Sequence, residues 1–218
     1  MVEISTSILN IKSENRIKTM YDLEVAKTDY FHIDIMDGKF VENDTKEKMI
    51  TYMNELKQIS NTPLDIHLMV ENVKENIEEC LAYNPNILTF HIEAVKEEER
   101  KPLIEKIKKQ NCRVGIAIKP ETDIEEIKEY LPYIHMVLIM TVEPGKGGQK
   151  LIPETIEKIK ELKEYLDKQN LEIDIEVDGG INLENVDILK TAGANIIVAG
   201  TAILNAEDYK EVITEMKQ

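Results

Sequence analysis

The segment HIDIMDG, residues 32–38, sets His32, Asp34 and Met36 at alternate positions of an apolar run that ends in glycine. In a strand, alternate side chains share one face. An imidazole and a carboxylate therefore point the same way from a segment apolar enough to be buried. Burying an unpaired charge costs several kcal/mol, roughly, so the pair calls for an opposite charge or a metal ion. The same alternation returns in PLDIHLMV with Asp65 and His67 and in FHIEA with His91 and Glu93, while IEVDGG closes on Asp178. From this set, His32, Asp34, His67 and Asp178 are the best ligands for one divalent ion such as Zn²⁺, Fe²⁺ or Mn²⁺. Two nitrogens and two carboxylates are too rich in oxygen for a structural zinc clamp. Singly each residue has a plainer reading: a strand histidine is commonly a hydrogen-bonded core group, and an aspartate before Gly-Gly can cap a turn.

Three glycine-bearing segments, EPGKGGQ (143–149), DGGIN (178–182) and AGTAIL (199–204), follow apolar runs. Such loops aim backbone N–H groups at anions, with helix N-termini behind them. A phosphorylated substrate is the expectation, recognised by local amides despite a net charge of −15. Met36, Met69 and Met140 end apolar runs and could pack around substrate and metal or simply fill space. Lys119 could stand at the mouth or in solvent, and His135, which begins a run, is read as structural.

Which elements would bring these groups together? β-branched apolar runs near 3–9, 30–37, 64–70, 87–93, 113–119, 136–142, 172–178 and 195–199 alternate with helical patterns such as PETIEKIKELKEYLDKQ, where Pro153 suits a first turn. Eight strand–helix units imply a parallel sheet with right-handed crossovers. The expected fold is an α/β (β/α)8 TIM barrel, one domain over residues 1–218, with an open doubly wound sheet as the alternative. Most glycines fall just after the expected strands, Gly115 and Gly193 excepted, where a barrel builds its active site. Asp34 and Asp178, on the second and seventh strands, would face each other across the mouth. Two carboxylates so placed can remove a proton from one face of a carbon acid and return it to the other, with a metal stabilising the enediolate between.

Composition limits the alternatives. The chain has 218 residues, 42% hydrophobic and 32% charged, and no apolar run long enough to span a bilayer. Its 42 acidic against 27 basic residues disfavour a nucleic-acid partner. The start, MVEISTSILNIKSENR, shows no secretory pattern, so a cytoplasmic location is expected. Acidic stretches such as 97–101 and 121–129 read as solvated helix faces, and Cys80 and Cys112 as inert buried thiols.

Taken together, HIDIMDGKFVEN, PLDIHLMV, FHIEA, VLIMTVEPGKGGQ, IEVDGG and AGTAI closely resemble the ribulose-phosphate 3-epimerase family, in order, from about residue 3 to residue 204. The resemblance implies a ribulose-phosphate-binding barrel that interconverts D-ribulose 5-phosphate and D-xylulose 5-phosphate with one divalent metal. It places the ligands on His32, Asp34, His67 and Asp178, and the acid/base roles on Asp34 and Asp178. It assigns a substrate contact to Ser7 and the phosphate amides to Gly147, Gly148, Gly179, Gly180, Gly200 and Thr201; Met36, His67, Met69, Met140, Gly145 and Asp178 complete the expected substrate contacts. It also implies a homo-oligomer. Thr6, Lys39, Glu42 and Lys146 depart from the family pattern, which would alter the rim of the pocket. The rival reading is 3-epimerisation of a hexulose 6-phosphate such as D-allulose 6-phosphate. A lyase on the same barrel would need Asp-x-Lys-x-x-Asp, and Met36 stands at its lysine. A non-catalytic phosphosugar binder would need the glycine loops but not the opposed carboxylates.

Overall fold

The computed structural model describes residues 2–218. Eight strands, β1 (Glu3–Ser7), β2 (Tyr30–Met36), β3 (Leu64–Met69), β4 (Ile87–His91), β5 (Arg113–Ile118), β6 (Met136–Met140), β7 (Asp174–Asp178) and β8 (Ile196–Ala199), close into one parallel barrel in chain order. This is a TIM barrel. The outward residues of the strands, among them Ile4, Ile33, Ile35, Ile66, Leu68, Leu88 and Phe90, are fully buried against the surrounding helices. Each helix supplies an apolar stripe at three-and-four spacing. α2 (Lys46–Ile59) buries Met49, Tyr52, Met53 and Leu56, and α5 (Thr155–Gln169) buries Ile159, Leu162 and Leu166. The others are α1 (Arg16–Val25), α3 (Val73–Leu81), α4 (Glu97–Lys108), α6 (Val186–Ala192), α7 (Thr201–Leu204) and α8 (Tyr209–Lys217).

The interior of the barrel has two characters. One part is apolar, a cluster of Tyr30, Ile87, Ala117, Met136, Leu138, Met140, Val142 and Ile196. The rest is polar: Ser5, His32, Asp65, His67, Thr89, His91 and Glu176 are all completely buried. Strand register makes this possible by setting His32 beside Asp65, Asp34 beside His67 and Met140 beside Asp178.

Three local expectations need correction. The acidic stretch 121–129 is not an α-helix but a 3-10 turn, Ile124–Ile127, followed by a second at Leu131–Tyr133. Pro132 lies inside the second turn and has no N–H to continue an α-helical ladder. Pro153 lies two residues ahead of α5 rather than in its first turn. β1 stops at Ser7 and β7 starts at Asp174, because the hydrogen-bonded ladder is shorter than the apolar run. Cys80 and Cys112 are free and buried, and burial pushes both thiols up to about 12. His135 accepts a hydrogen bond from the Val114 backbone through Nδ1 at 3.1 Å, before β6 begins.

Gly115, the strand glycine that no turn explains, leaves room inside the barrel. A Cβ there would overlap the Thr89 hydroxyl and approach Met136 Cε to 3.0 Å. Gly115→Val adds a strand-favouring residue yet is expected to lower stability by about 1–3 kcal/mol through overpacking. The shift in urea midpoint measures it, and an unchanged or raised midpoint would show that the interior can yield.

Candidate active site

The mouth of the barrel is built where β1, β2, β3 and β7 end. β2 carries His32 and Asp34 two residues apart, β3 carries Asp65 and His67 in the same relation, and β7 ends at Asp178. Parity keeps each pair on the inner face. Closure of the barrel through β8 and β1 then brings β7 within reach of β2. His32 Nε2 lies 3.4 Å from Asp34 Oδ1 and 4.0 Å from Asp178 Oδ2. His67 Nδ1 lies 3.4 and 3.7 Å from the same two oxygens. One donor atom from each of His32, Asp34, His67 and Asp178 falls within a common 4.8 Å.

Two of these atoms, His32 Nε2 and His67 Nδ1, are buried without a hydrogen-bond partner. Buried polar atoms are ordinarily satisfied, so nitrogens aimed together at two carboxylates fit a divalent cation bound by mixed nitrogen and oxygen donors. The protonation pattern agrees. Burial alone would lower the His32 pKa, but the charges of Asp65 and Asp34 outweigh it and raise it well above the ordinary value. Burial would likewise raise Asp34, and His32 and His67 hold it below the usual carboxylate range. Burial, then the adjacent Asp34 charge, pushes the Asp178 carboxyl up to about 7.

The histidines are oriented from behind. His32 Nδ1 sits 2.6 Å from Asp65 Oδ2, a carboxylate that also accepts from Ser5 Oγ at 2.7 Å. Carboxylates only accept, so Nδ1 carries the hydrogen and Nε2 is the nitrogen turned to the site. His91 and Glu93 are not among the converging donors: His91 Nε2 meets His67 Nε2 at 2.9 Å, and burial pushes the His91 pKa down to about 4. Ser7 Oγ donates to Asp34 Oδ2 at 2.9 Å. Thr45 Oγ1 donates to the Asp34 carbonyl at 2.6 Å and accepts from the Met36 amide at 3.0 Å, which pins the end of β2.

A cavity of about 360 Å³ opens above the cluster. Ser7, Asp34, Met36, Met69, Met140 and Asp178 form its floor, and Gly145, Gly147, Gly148, Gly179, Gly180, Gly200 and Thr201 line it too. His32 and His67 lie beneath the floor, fully buried. The glycine loops are packed against each other. Gly180, at φ +69°, would drive a Cβ into the Leu151 backbone and the Gln149 carbonyl, so only glycine lets the 178–182 and 143–151 segments approach this closely.

Of the departures from the family pattern, Lys146 alone lines this cavity, as an exposed side chain. Thr6 is buried on the outer face of β1, where its hydroxyl meets that of Thr28 at 2.7 Å. Lys39 and Glu42 are exposed and away from the cavity. The rim is therefore less altered than those residues suggested. Lys119 stands at the mouth, its Nζ 4.6 Å above the Phe40 ring.

Sequence reading passed over Glu176, which lies buried beside Asp65 and His32, its Oε1 3.9 Å from His32 Nδ1 and both oxygens unpartnered. Burial and the Asp65 charge push its carboxyl well above the ordinary range. The signal was available, since Glu176 and Asp178 alternate in IEVD. Asn10, Asn182 and Asn205 also line the cavity, and nothing in their local sequence marks them.

A barrel whose mouth carries this donor set and cavity defines a TIM-barrel enzyme. The profile of the Ribulose-phosphate 3 epimerase family matches residues 3–204, and the chain belongs to that family. A Bacillus subtilis protein named Ribulose-phosphate 3-epimerase is 36% identical over 218 residues, 100% of this chain and 99% of the relative. One from Oryza sativa subsp. japonica, named Ribulose-phosphate 3-epimerase, cytoplasmic isoform, is 39% identical over 193 residues, 87% of this chain and 82% of the relative. Among solved structures, a 3-hexulose-6-phosphate synthase superposes with a TM-score of 0.73 at 13% identity, over 99% of this chain and 98% of that one. That likeness is one of fold.

Titrating the metal-free chain with Co²⁺ is expected to fill one site, read by the visible absorption of the bound ion. His67→Ala should weaken it by at least about tenfold, since even the partners that orient a ligand are worth about 10–100-fold. Unchanged Co²⁺ affinity in a folded variant would remove His67 from the ligand set.

Proposed function

We propose that the chain inverts C3 of D-ribulose 5-phosphate to give D-xylulose 5-phosphate, with Asp34 and Asp178 transferring the proton. The observation that carries this is the meeting of two carboxylates and two partnerless imidazole nitrogens on the floor of a glycine-lined cavity. The family membership and the names of its relatives support the pentose over the hexulose phosphate. The same reading takes residues 1–218 as one barrel domain acting on a small ketose phosphate, in the cytoplasm, as a homo-oligomer.

The hydrogen at C3 is acidified by the C2 carbonyl, and its removal leaves an enediolate that is planar at C3. One aspartate takes that hydrogen from its face of the carbon, and the other supplies a hydrogen to the opposite face. In the reverse direction they exchange roles. Ser7 donates to Asp34 and fixes the direction of its carboxylate. His32, Asp34, His67 and Asp178 would hold a divalent ion, and that ion supplies Lewis-acid stabilisation of negative charge building on the substrate oxygens. Met36, Met69 and Met140 form apolar walls that keep water from the reacting carbon. The amides of the loops carrying Gly147, Gly148, Gly179, Gly180, Gly200 and Thr201 bind the phosphate, as loops after the last strands of such barrels do.

Turnover of D-ribulose 5-phosphate by metal-reconstituted protein in D₂O tests this directly. NMR is expected to show xylulose 5-phosphate with deuterium at C3. If D-allulose 6-phosphate turns over with equal or better kcat/KM, the pentose assignment fails. Asp178→Asn should lower exchange at C3 by about 10²–10⁴-fold, the usual worth of a positioned acid/base group, and normal exchange would sink the two-carboxylate mechanism. Gly180→Ala should raise KM for the phosphorylated substrate by about tenfold, equivalent to about 1.4 kcal/mol, with a smaller change in kcat. An unaltered KM would place the phosphate elsewhere.

A further inference from the structure

His67 is the one cluster histidine without a carboxylate of its own. His32 has Asp65 directly behind it, whereas His67 Nε2 faces another imidazole, His91 Nε2, at 2.9 Å. Two nitrogens at that distance share one hydrogen, so one ring must donate and the other accept. His91 decides which. Its Nδ1 is 3.1 Å from Glu93 Oε2, and a carboxylate can only accept, so Nδ1 carries the hydrogen of the neutral His91 ring and Nε2 is bare. His67 must then donate from Nε2, which leaves its Nδ1 bare. That is the buried, partnerless nitrogen directed at Asp34 and Asp178.

Glu93 is itself held in place. Its Oε1 accepts from the Lys119 backbone N–H at 2.8 Å and from the Thr122 hydroxyl. The segment that supplies those donors is fastened by Lys158 of α5, whose Nζ donates to the carbonyls of Lys119, Pro120 and Thr122 at 3.1, 2.6 and 2.5 Å. Phe40 packs against His91 with the rings tilted 45° to each other and their centroids 4.9 Å apart. The His67 and His91 ring planes lie within 28° of each other with centroids 5.0 Å apart, the edge-to-edge arrangement a hydrogen bond between two ring nitrogens requires.

We propose that Glu93 and His91 are positioning residues: Glu93 sets the tautomer of His91, and His91 in turn sets that of His67, so that the Nδ1 lone pair of His67 is kept for the metal. The proposal rests on the metal-site reading above and deepens it. Glu93→Gln is the informative change. Oε1 must remain an oxygen to accept from the Lys119 N–H, so the amide NH₂ is turned toward His91 Nδ1. That reverses both rings and places a hydrogen on His67 Nδ1.

The test needs no turnover. In ¹⁵N-histidine-labelled, metal-free protein, with four histidines to resolve, long-range ¹H–¹⁵N spectra report each ring's tautomer. His91 is expected as Nδ1–H and His67 as Nε2–H, with both reversed in Glu93→Gln. Co²⁺ affinity measured by calorimetry should fall by about 10–100-fold in that variant at an unchanged unfolding midpoint. His91→Phe should lose a similar factor, and His91→Gln, whose amide oxygen can accept from His67 Nε2–H, should recover most of it. A wild-type His67 with its hydrogen on Nδ1 overturns the proposal without recourse to any variant. So does Co²⁺ affinity in Glu93→Gln equal to that of the wild type, and that result leaves the metal site standing. If the folded wild type binds no Co²⁺, the metal-site reading falls and this proposal falls with it.

Discussion

The hydrogen bond between His32 and Asp65, 2.6 Å long and fully buried, is the interaction on which the rest of the mouth depends. A TIM-barrel interior is ordinarily filled with layers of branched apolar side chains. Here part of that filling is replaced by imidazoles, carboxylates and hydroxyls, each costly unless partnered. Asp65 binds His32 and Ser5 together, His32 faces Asp34 and Asp178 with its other nitrogen, and Asp34 is held by Ser7. The polar groups largely satisfy one another, and the inward nitrogens of His32 and His67 are left without partners at the mouth, as are Asp65 Oδ1 and Thr89 Oγ1 within the barrel. Deeper in, Glu176 lies against Asp65, and burial together with that neighbouring charge favours its uncharged acid.

The loops around this floor are fastened by the same logic. Asp37, just past the end of β2, accepts from the Lys39, Phe40 and Glu71 amides at 3.0, 3.0 and 2.8 Å, which joins the loops after β2 and β3. Lys48 Nζ reaches the Leu9 carbonyl at 2.6 Å and closes the loop after β1 onto α2. Glu93 and Lys158 fasten the loop after β5. The wall on the side of β6, β7 and β8 is made instead by glycines, whose lack of a Cβ lets backbone approach backbone. One side of the mouth is braced by charged side chains; the other is built from closely packed main chain.

The lengths of the loops and the absence of breaks between units made the barrel legible from sequence. So did the alternation in β2, β3 and β7, because a period of two in a buried strand cannot arise from helix packing. The connection from β5 to β6 was misread as helical, since its acidic pattern resembles a solvated face and only Pro132 argues otherwise. Thr6 was misjudged for a different reason: it stands beside Ser7 in the sequence, but adjacent strand residues face opposite ways, and a departure from a family motif carries no label for its face.

The chain by itself determined the eight alternating units, the residue types that could hold a cation and move a proton, and the glycines that follow β2, β6, β7 and β8. These are local properties of spacing and side-chain chemistry. Tertiary structure alone decided that Glu176 lies beneath the histidines of β2 and β3 and that His91 backs His67 instead of joining it. Those relations depend on barrel closure and strand stagger, which bring Glu176, more than a hundred positions along the chain, to 3.9 Å from His32 and which no local pattern encodes.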